Sequence, residues 1–138
     1  MDHKYNIGID LGGTNIRGGL VNENHLQGIH SRRINAQVSV KEVLEELFSL
    51  ADELINNQVT LIGIGVSGLV NVEQGIVFDV INIPSWKEVR LQKLMQDRNR
   101  LPVIINNDAN CFALGEFYFG KEKDCNSIVG LTIGTGLG

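Results

Sequence analysis

The sequence predicts an α/β domain on a mixed sheet, and three features carry that expectation. An early run of three strand-like segments is joined by short turns, as in an antiparallel meander. A helical period then takes over, and helices alternate with nearly continuous apolar runs of the kind found in strands covered on both faces. With 138 residues the chain can bury a core, and one domain is the natural count.

The first strand is expected over "YNIGIDL", residues 5 to 11. Gly12 and Gly13 follow, and paired glycines suit a tight hairpin whose central residues need positive φ. "TNIRGGLVN" and "HLQGIHSRRI" supply the next two strands, separated by a turn at Glu23 and Asn24. Val40, Val43, Leu44, Leu47, Phe48, Ala51, Leu54 and Ile55 then recur at three- and four-residue steps, marking one buried helix face. Ser39, with Glu42 three residues on, forms a capping box at its start. "TLIGIGVSG" (60 to 68) reads as a buried strand, and "GIVFDVIN" as a short extended piece. "WKEVRLQKLMQDRNR" is expected to be a short helix stopped by Leu101-Pro102, before the strand "PVIIN". "NDANCFALGEFYFG" places a helix start near Asp108, and "SIVGLTIG" reads as a last strand.

Composition narrows the class. Twelve Lys and Arg against 16 Asp and Glu leave a net charge of −4, which gives no electrostatic reason to expect a nucleic-acid partner. No apolar run approaches the roughly 20 residues that span a bilayer. Asp2, His3 and Lys4 lead directly into a strand, unlike a signal peptide. Cys111 and Cys125 are not spaced as a metal pair or redox motif, so free thiols in a cytoplasmic protein are expected.

The glycines after the first strand admit three phosphate-handling readings. A mononucleotide P-loop counted from Gly13 reaches Gly18, but Gly19 and Leu20 stand where lysine and a hydroxyl belong. A dinucleotide fingerprint needs spaced glycines opening a helix, and here adjacent glycines precede a strand. The third reading is a hairpin tip whose backbone N–H groups and Thr14 hydroxyl converge on an anion, with Asp10 anchoring a hydrated Mg²⁺. An ordinary hairpin with a solvated Asp10 explains that tip equally well taken alone. The tie is broken by "LTIGTGLG", which repeats the order of strand, glycine, threonine, glycine at the other end. Two such turns are expected to grip one polyphosphate from opposite sides.

Asp108 stands where a buried strand yields to a helix, at the edge where open α/β sheets bind ligands. A helix N-terminus favours its charged form, suiting it to accept a proton. Asn82 and Asn107 each offer one acceptor and two donors to a polar ligand. The plain alternatives are a helix cap for Asp108 and turn-forming roles for the asparagines. Trp86, the only tryptophan, is expected to be a partly buried anchor for the loop bearing Asn82 rather than a platform for stacking a ligand.

In order and spacing, "IGIDLGGTNIRGGLV", "GIGVSGLV", "NIPSWKEVRL", "LPVIINNDANCFALGE" and "LTIGTGLG" resemble the first lobe of the ROK family, which groups sugar kinases such as bacterial glucokinases with sugar-responsive repressors. The resemblance implies a ribonuclease-H-like lobe of the two-lobed actin-like ATPase fold, with residues 1 to 138 forming the N-terminal lobe and a second lobe lying outside them. It implies ATP-dependent phosphorylation of a hexose hydroxyl, with ATP and Mg²⁺ as cofactors. Asp10, Gly12, Gly13, Thr14 and Asn15 match the first phosphate element, and Gly134, Thr135 and Gly136 the second. Gly68, Asn82, Asn107 and Asp108 match sugar-lining positions, and Asp108 matches the catalytic base. The family's zinc-binding cysteines would follow residue 138, so no zinc site is expected in this chain. The family also implies a homodimeric or homotetrameric full-length protein, while charge and hydropathy lead to no expectation of a nucleic-acid or membrane partner. A fragment of this length is expected to be inactive alone. The alternative is a sugar-sensing regulator of the same family, which typically carries a DNA-reading helix-turn-helix ahead of the first strand.

Overall fold

The computed structural model describes residues 4–23, 25–35, 37–80, 83–120 and 125–133. Three antiparallel strands open the chain: β1 (Tyr5–Leu11), β2 (Asn15–Asn22) and β3 (His25–Arg33). Helix α1 (Val40–Leu54) then crosses to β4 (Val59–Val66), which pairs parallel to β1. A small antiparallel sheet follows, made of β5 (Leu69–Asn71), β6 (Ile76–Phe78) and β7 (Glu88–Val89). Helix α2 (Leu91–Asn99) leads to β8 (Val103–Asn107), parallel to β4, and α3 (Asp108–Phe119) begins without an intervening loop. The main sheet therefore runs β3-β2-β1-β4-β8, mixed in direction as the sequence predicts.

Side chains alternate across a strand, so each sheet face has its own composition. One face presents Ile7, Ile9, Leu11, Ile16, Ile62, Ile64, Val66, Val103 and Ile105, all buried. Against it lie Val43, Leu47, Leu50, Ala51 and Leu54 of α1 and Leu91 and Met95 of α2, in one continuous core. The helical stripe read from the sequence is this contact. The capping box also forms: the Ser39 N–H donates to Glu42 Oε2 at 2.8 Å, and the Glu42 N–H to Ser39 Oγ at 3.3 Å. Arg32 of β3 ties the sheet to α1 through Glu46 and Glu53.

Two elements depart from the sequence reading. The segment beginning at Trp86 is not helical until Leu91, because Glu88 and Val89 pair with β6 and Val89 turns into the core. Trp86 itself is fully buried, held in a tight loop by its N–H donating to the Ile83 carbonyl at 2.9 Å. It anchors the loop from inside rather than lining its surface. Secondly, the described part of "SIVGLTIG" joins no multi-residue ladder, and Val129 is 88% and Ile133 83% exposed. Its apolar pattern records a need for cover that no strand among the described residues supplies.

Replacing Trp86 with alanine removes the largest fully buried side chain. A loss of about 3–5 kcal/mol in urea denaturation is expected, since the cavity left behind adds to the lost transfer energy. An unchanged midpoint would contradict the packing described.

Candidate functional site

The opposite sheet face is built differently. Across the strands, Gly19, Gly8 and Gly63 lie in register with Ile104, and the next row reads Arg17, Asp10, Gly65, Asn106. With little side-chain bulk there, the face opens into a cleft of about 1010 Å³ whose wall includes Asp10, Arg17, Asn106, Asp108 and Cys111. Helix α3 covers one end. A Cβ added at Gly65 would stand 3.4 Å from the Cys111 Sγ and 3.6 Å from the Asp108 Cα, which places the first turns of α3 directly over β4. A smaller hollow of about 540 Å³ flanks α3 between Tyr118 and Ile128, and neither carboxylate nor cation lines it.

The turn after β1 is fixed from three sides. The Gly12 N–H donates to the Asn15 carbonyl at 2.9 Å, and the Ile34 N–H to the Thr14 carbonyl at 2.8 Å. Asn15 Nδ2 donates to Thr14 Oγ1 at 3.1 Å. Gly12 is not in the left-handed region expected of it. The constraint is steric instead, for a Cβ there would approach the Asn15 carbonyl to 3.2 Å. The N–H groups of Gly13 and Thr14 meet no acceptor among the described residues, so the tip retains free backbone donors.

At the far end of β8, Asn107 caps α3. Its Oδ1 accepts from the N–H groups of Ala109 at 3.0 Å and Asn110 at 3.3 Å, while its Nδ2 donates to the Gly68 carbonyl at 2.9 Å. Gly68 is itself pressed against the chain at 78–80, where a Cβ would lie 3.1 Å from the Phe78 carbonyl oxygen. Asn106 Oδ1 accepts from the Asn107 N–H and from Asn110 Nδ2. Asp108 therefore occupies the first helical position rather than the cap.

Electrostatics join the two ends. Burial, then the negative charge of Asp108, raise the Asp10 carboxyl above its ordinary value, and Arg17 acts in the opposite direction. The Cys111 thiol is raised by burial, then by Asp108 and Asp10. It is thereby kept protonated and unreactive at neutral pH. Asp10 and Asp108 thus feel each other and share one cleft. Asn82 and the second glycine turn, Gly134, Thr135 and Gly136, lie outside the described residues. Arg17 and Cys111 were not singled out from the sequence. The hairpin register places Arg17 opposite Asp10 and was available as a signal, whereas Cys111 needed the seating of α3.

A glycine-tipped hairpin, a helix N-terminus bearing an acid and an open sheet edge between them characterise an α/β fold with a cleft along one sheet face. The chain belongs to the ROK family, whose model matches residues 6–138. It is 36% identical to a glucokinase of Thermotoga maritima, over 96% of this chain and 42% of that protein. It is 38% identical to an N-acetyl-D-glucosamine kinase of Yersinia pseudotuberculosis, over 95% of this chain and 43% of that one. Among solved structures it resembles a ROK family glucokinase from Streptomyces griseus in complex with glucose and AMPPNP, with a TM-score of 0.86 and 29% identity, covering 97% of this chain and 43% of the other. The fold is accordingly the actin-like ATPase lobe of ROK sugar kinases. The chain spans about two fifths of the length of the curated relatives it matches.

Because the folded protein raises the Asp10 carboxyl, ionising it costs stability once the pH exceeds its unfolded value. Asp10→Asn should therefore melt higher than wild type at pH 7. The advantage should shrink as the pH falls through the carboxylate range, where both proteins carry a neutral group. Equal melting temperatures at pH 7 would refute the raised carboxyl at Asp10.

Proposed function

We propose that residues 1 to 138 form the N-terminal lobe of an ATP-dependent sugar kinase acting on a hexose or N-acetylhexosamine. The observation that carries this reading is the pairing of Asp10 and Asp108, at the ends of two different strands, across one cleft whose floor is glycine. The names of the relatives, glucokinase and N-acetyl-D-glucosamine kinase, support the substrate class.

Asp108 is the general base. As a sugar hydroxyl oxygen bonds to the γ-phosphorus of ATP, its proton passes to the Asp108 carboxylate. The bond from that phosphorus to the β–γ bridging oxygen breaks, and ADP leaves with the electron pair. Positioning and charge neutralisation dominate such a transfer. Asn107 sets the Asp108 backbone, and its second Nδ2 hydrogen remains for a sugar hydroxyl. Asn82 and Gly68 complete this side of the sugar pocket. Gly12, Gly13, Thr14 and Asn15 present N–H and hydroxyl donors to the phosphates, opposed by Gly134, Thr135 and Gly136.

Asp10 suits Mg²⁺ arriving with ATP. No cluster of three ligating side chains exists among the described residues, so an all-protein cage is absent. Mg²⁺ usually keeps several waters and needs only one or two carboxylates beside the phosphates. When bound, it would supply charge neutralisation at the phosphate oxygens. The second lobe would close the cleft, and the 138-residue chain alone should phosphorylate no sugar at an appreciable rate.

The test is a coupled ADP-release assay of the full-length protein against a panel including glucose, mannose and N-acetylglucosamine. One sugar should support turnover, and Asp108→Ala should lower kcat by roughly 10²–10⁴-fold. The sugar-induced rise in melting temperature should survive that change. Turnover undiminished in Asp108→Ala would remove the base, and sugar-dependent DNA binding without turnover would favour a regulator.

A further inference from the structure

Arg17 has no role in the scheme above, yet it is the one cation lining the cleft among the described residues. It lies directly across the hairpin from Asp10, on the same sheet face. Residues two apart in a strand share a face, so Arg17 sits about 6–7 Å along β2 from Asn15 and the glycine tip. Its same-face neighbours Gly19 and, across the ladder, Gly8 have no side chains to clamp it.

Several cations elsewhere in the protein are engaged: Arg32 with Glu46 and Glu53, Arg98 with Asp52, Lys87 with Asp79 and Lys93 with Asp97. The Arg17 side chain makes no hydrogen bond or ion pair among the described residues, although its charge acts on Asp10. A guanidinium left unpaired across the ladder from Asp10, in the cleft that Asp108 also lines, keeps its fork of donors available. That fork matches the paired non-bridging oxygens of a phosphoryl group, and charge there is worth most in a partly dehydrated cleft.

We propose that Arg17 is a catalytic residue that contacts the transferring phosphoryl group, offsetting the negative charge that ATP brings between Asp10 and Asp108. This rests on the kinase reading. The bonds made and broken are those of the transfer already described, and Arg17 keeps its protons throughout.

The test compares wild type, Arg17→Ala and Arg17→Lys in the full-length protein, with ATP and the sugar that wild type phosphorylates. Arg17→Ala should lower kcat by roughly 10²-fold or more, as loss of one transition-state donor does. The sugar KM and the sugar-induced melting shift should stay within about threefold and a degree or so of wild type. Arg17→Lys should fall between the two, since a point charge replaces the fork. Millimolar guanidinium should restore part of the Arg17→Ala rate, which a purely structural defect would not permit. A kcat within about threefold of wild type, or a loss that guanidinium leaves untouched, would overturn the proposal while the kinase reading stands. A wild-type protein that phosphorylates no sugar would overturn both.

Discussion

The geometry of the site depends on what one side chain, Asn107, does with its amide. Its oxygen takes two N–H groups of α3, and its nitrogen holds the Gly68 carbonyl. The cap contributes on the order of 1 kcal/mol and the cross-loop bond a similar amount. Their larger effect is geometric. β8 turns into α3 with no slack, so Asp108 is delivered at a fixed point on the first helical turn. The same amide fastens the β4–β5 turn, which is closed from its other side by the chain at 78–80. A capping role and a sugar contact are therefore compatible for Asn107, provided the contact is a donation, because its oxygen is already occupied.

The two sheet faces divide stability from function. One buries Ile, Val and Leu from four strands against α1 and α2, each such side chain contributing about 1.5–3 kcal/mol as an upper estimate. That face suffices to order the strands. The other can then carry glycines and charges that would weaken a core. Helix α3 reflects the asymmetry: it has apolar side chains around its circumference, yet buries none of them fully. Phe112, Leu114, Tyr118 and Phe119 remain exposed.

What was legible in the sequence follows the range of the interaction involved. The meander, the capping box and the Asn107–Asp108 strand-to-helix step are local, and each was readable from spacing. The start of α2 was not, because "WKEV" has helical composition and is claimed instead by a ladder with β6 and by burial of Val89. Trp86 reads from the sequence as a loop anchor, whereas its complete burial is a property of the assembled core that spacing does not reveal. The φ of Gly12 was misjudged for a related reason: a longer hairpin tip closes through a carbonyl contact rather than a left-handed residue. The meeting of Asp10 with Asp108 required the order of strands, since β1 and β8 are separated by β4.

That meeting also explains why the arrangement is worth its cost. Burial first, and then the negative charge of Asp108 across the same cleft, raise the Asp10 carboxyl, so ionising it carries a cost. A sheet selected only for stability would pair or remove one of them. Keeping both, with an unpaired guanidinium one strand away, creates a field that ordinary solvent satisfies poorly and a cation-bearing phosphate satisfies well. The metal would answer the acids, and the phosphate the arginine. On the kinase reading, ligand binding would then offset charge repulsion already present between Asp10 and Asp108. The glycine rows are what make this possible, because only a face without side chains lets charges on neighbouring strands act on one another and on a ligand at once.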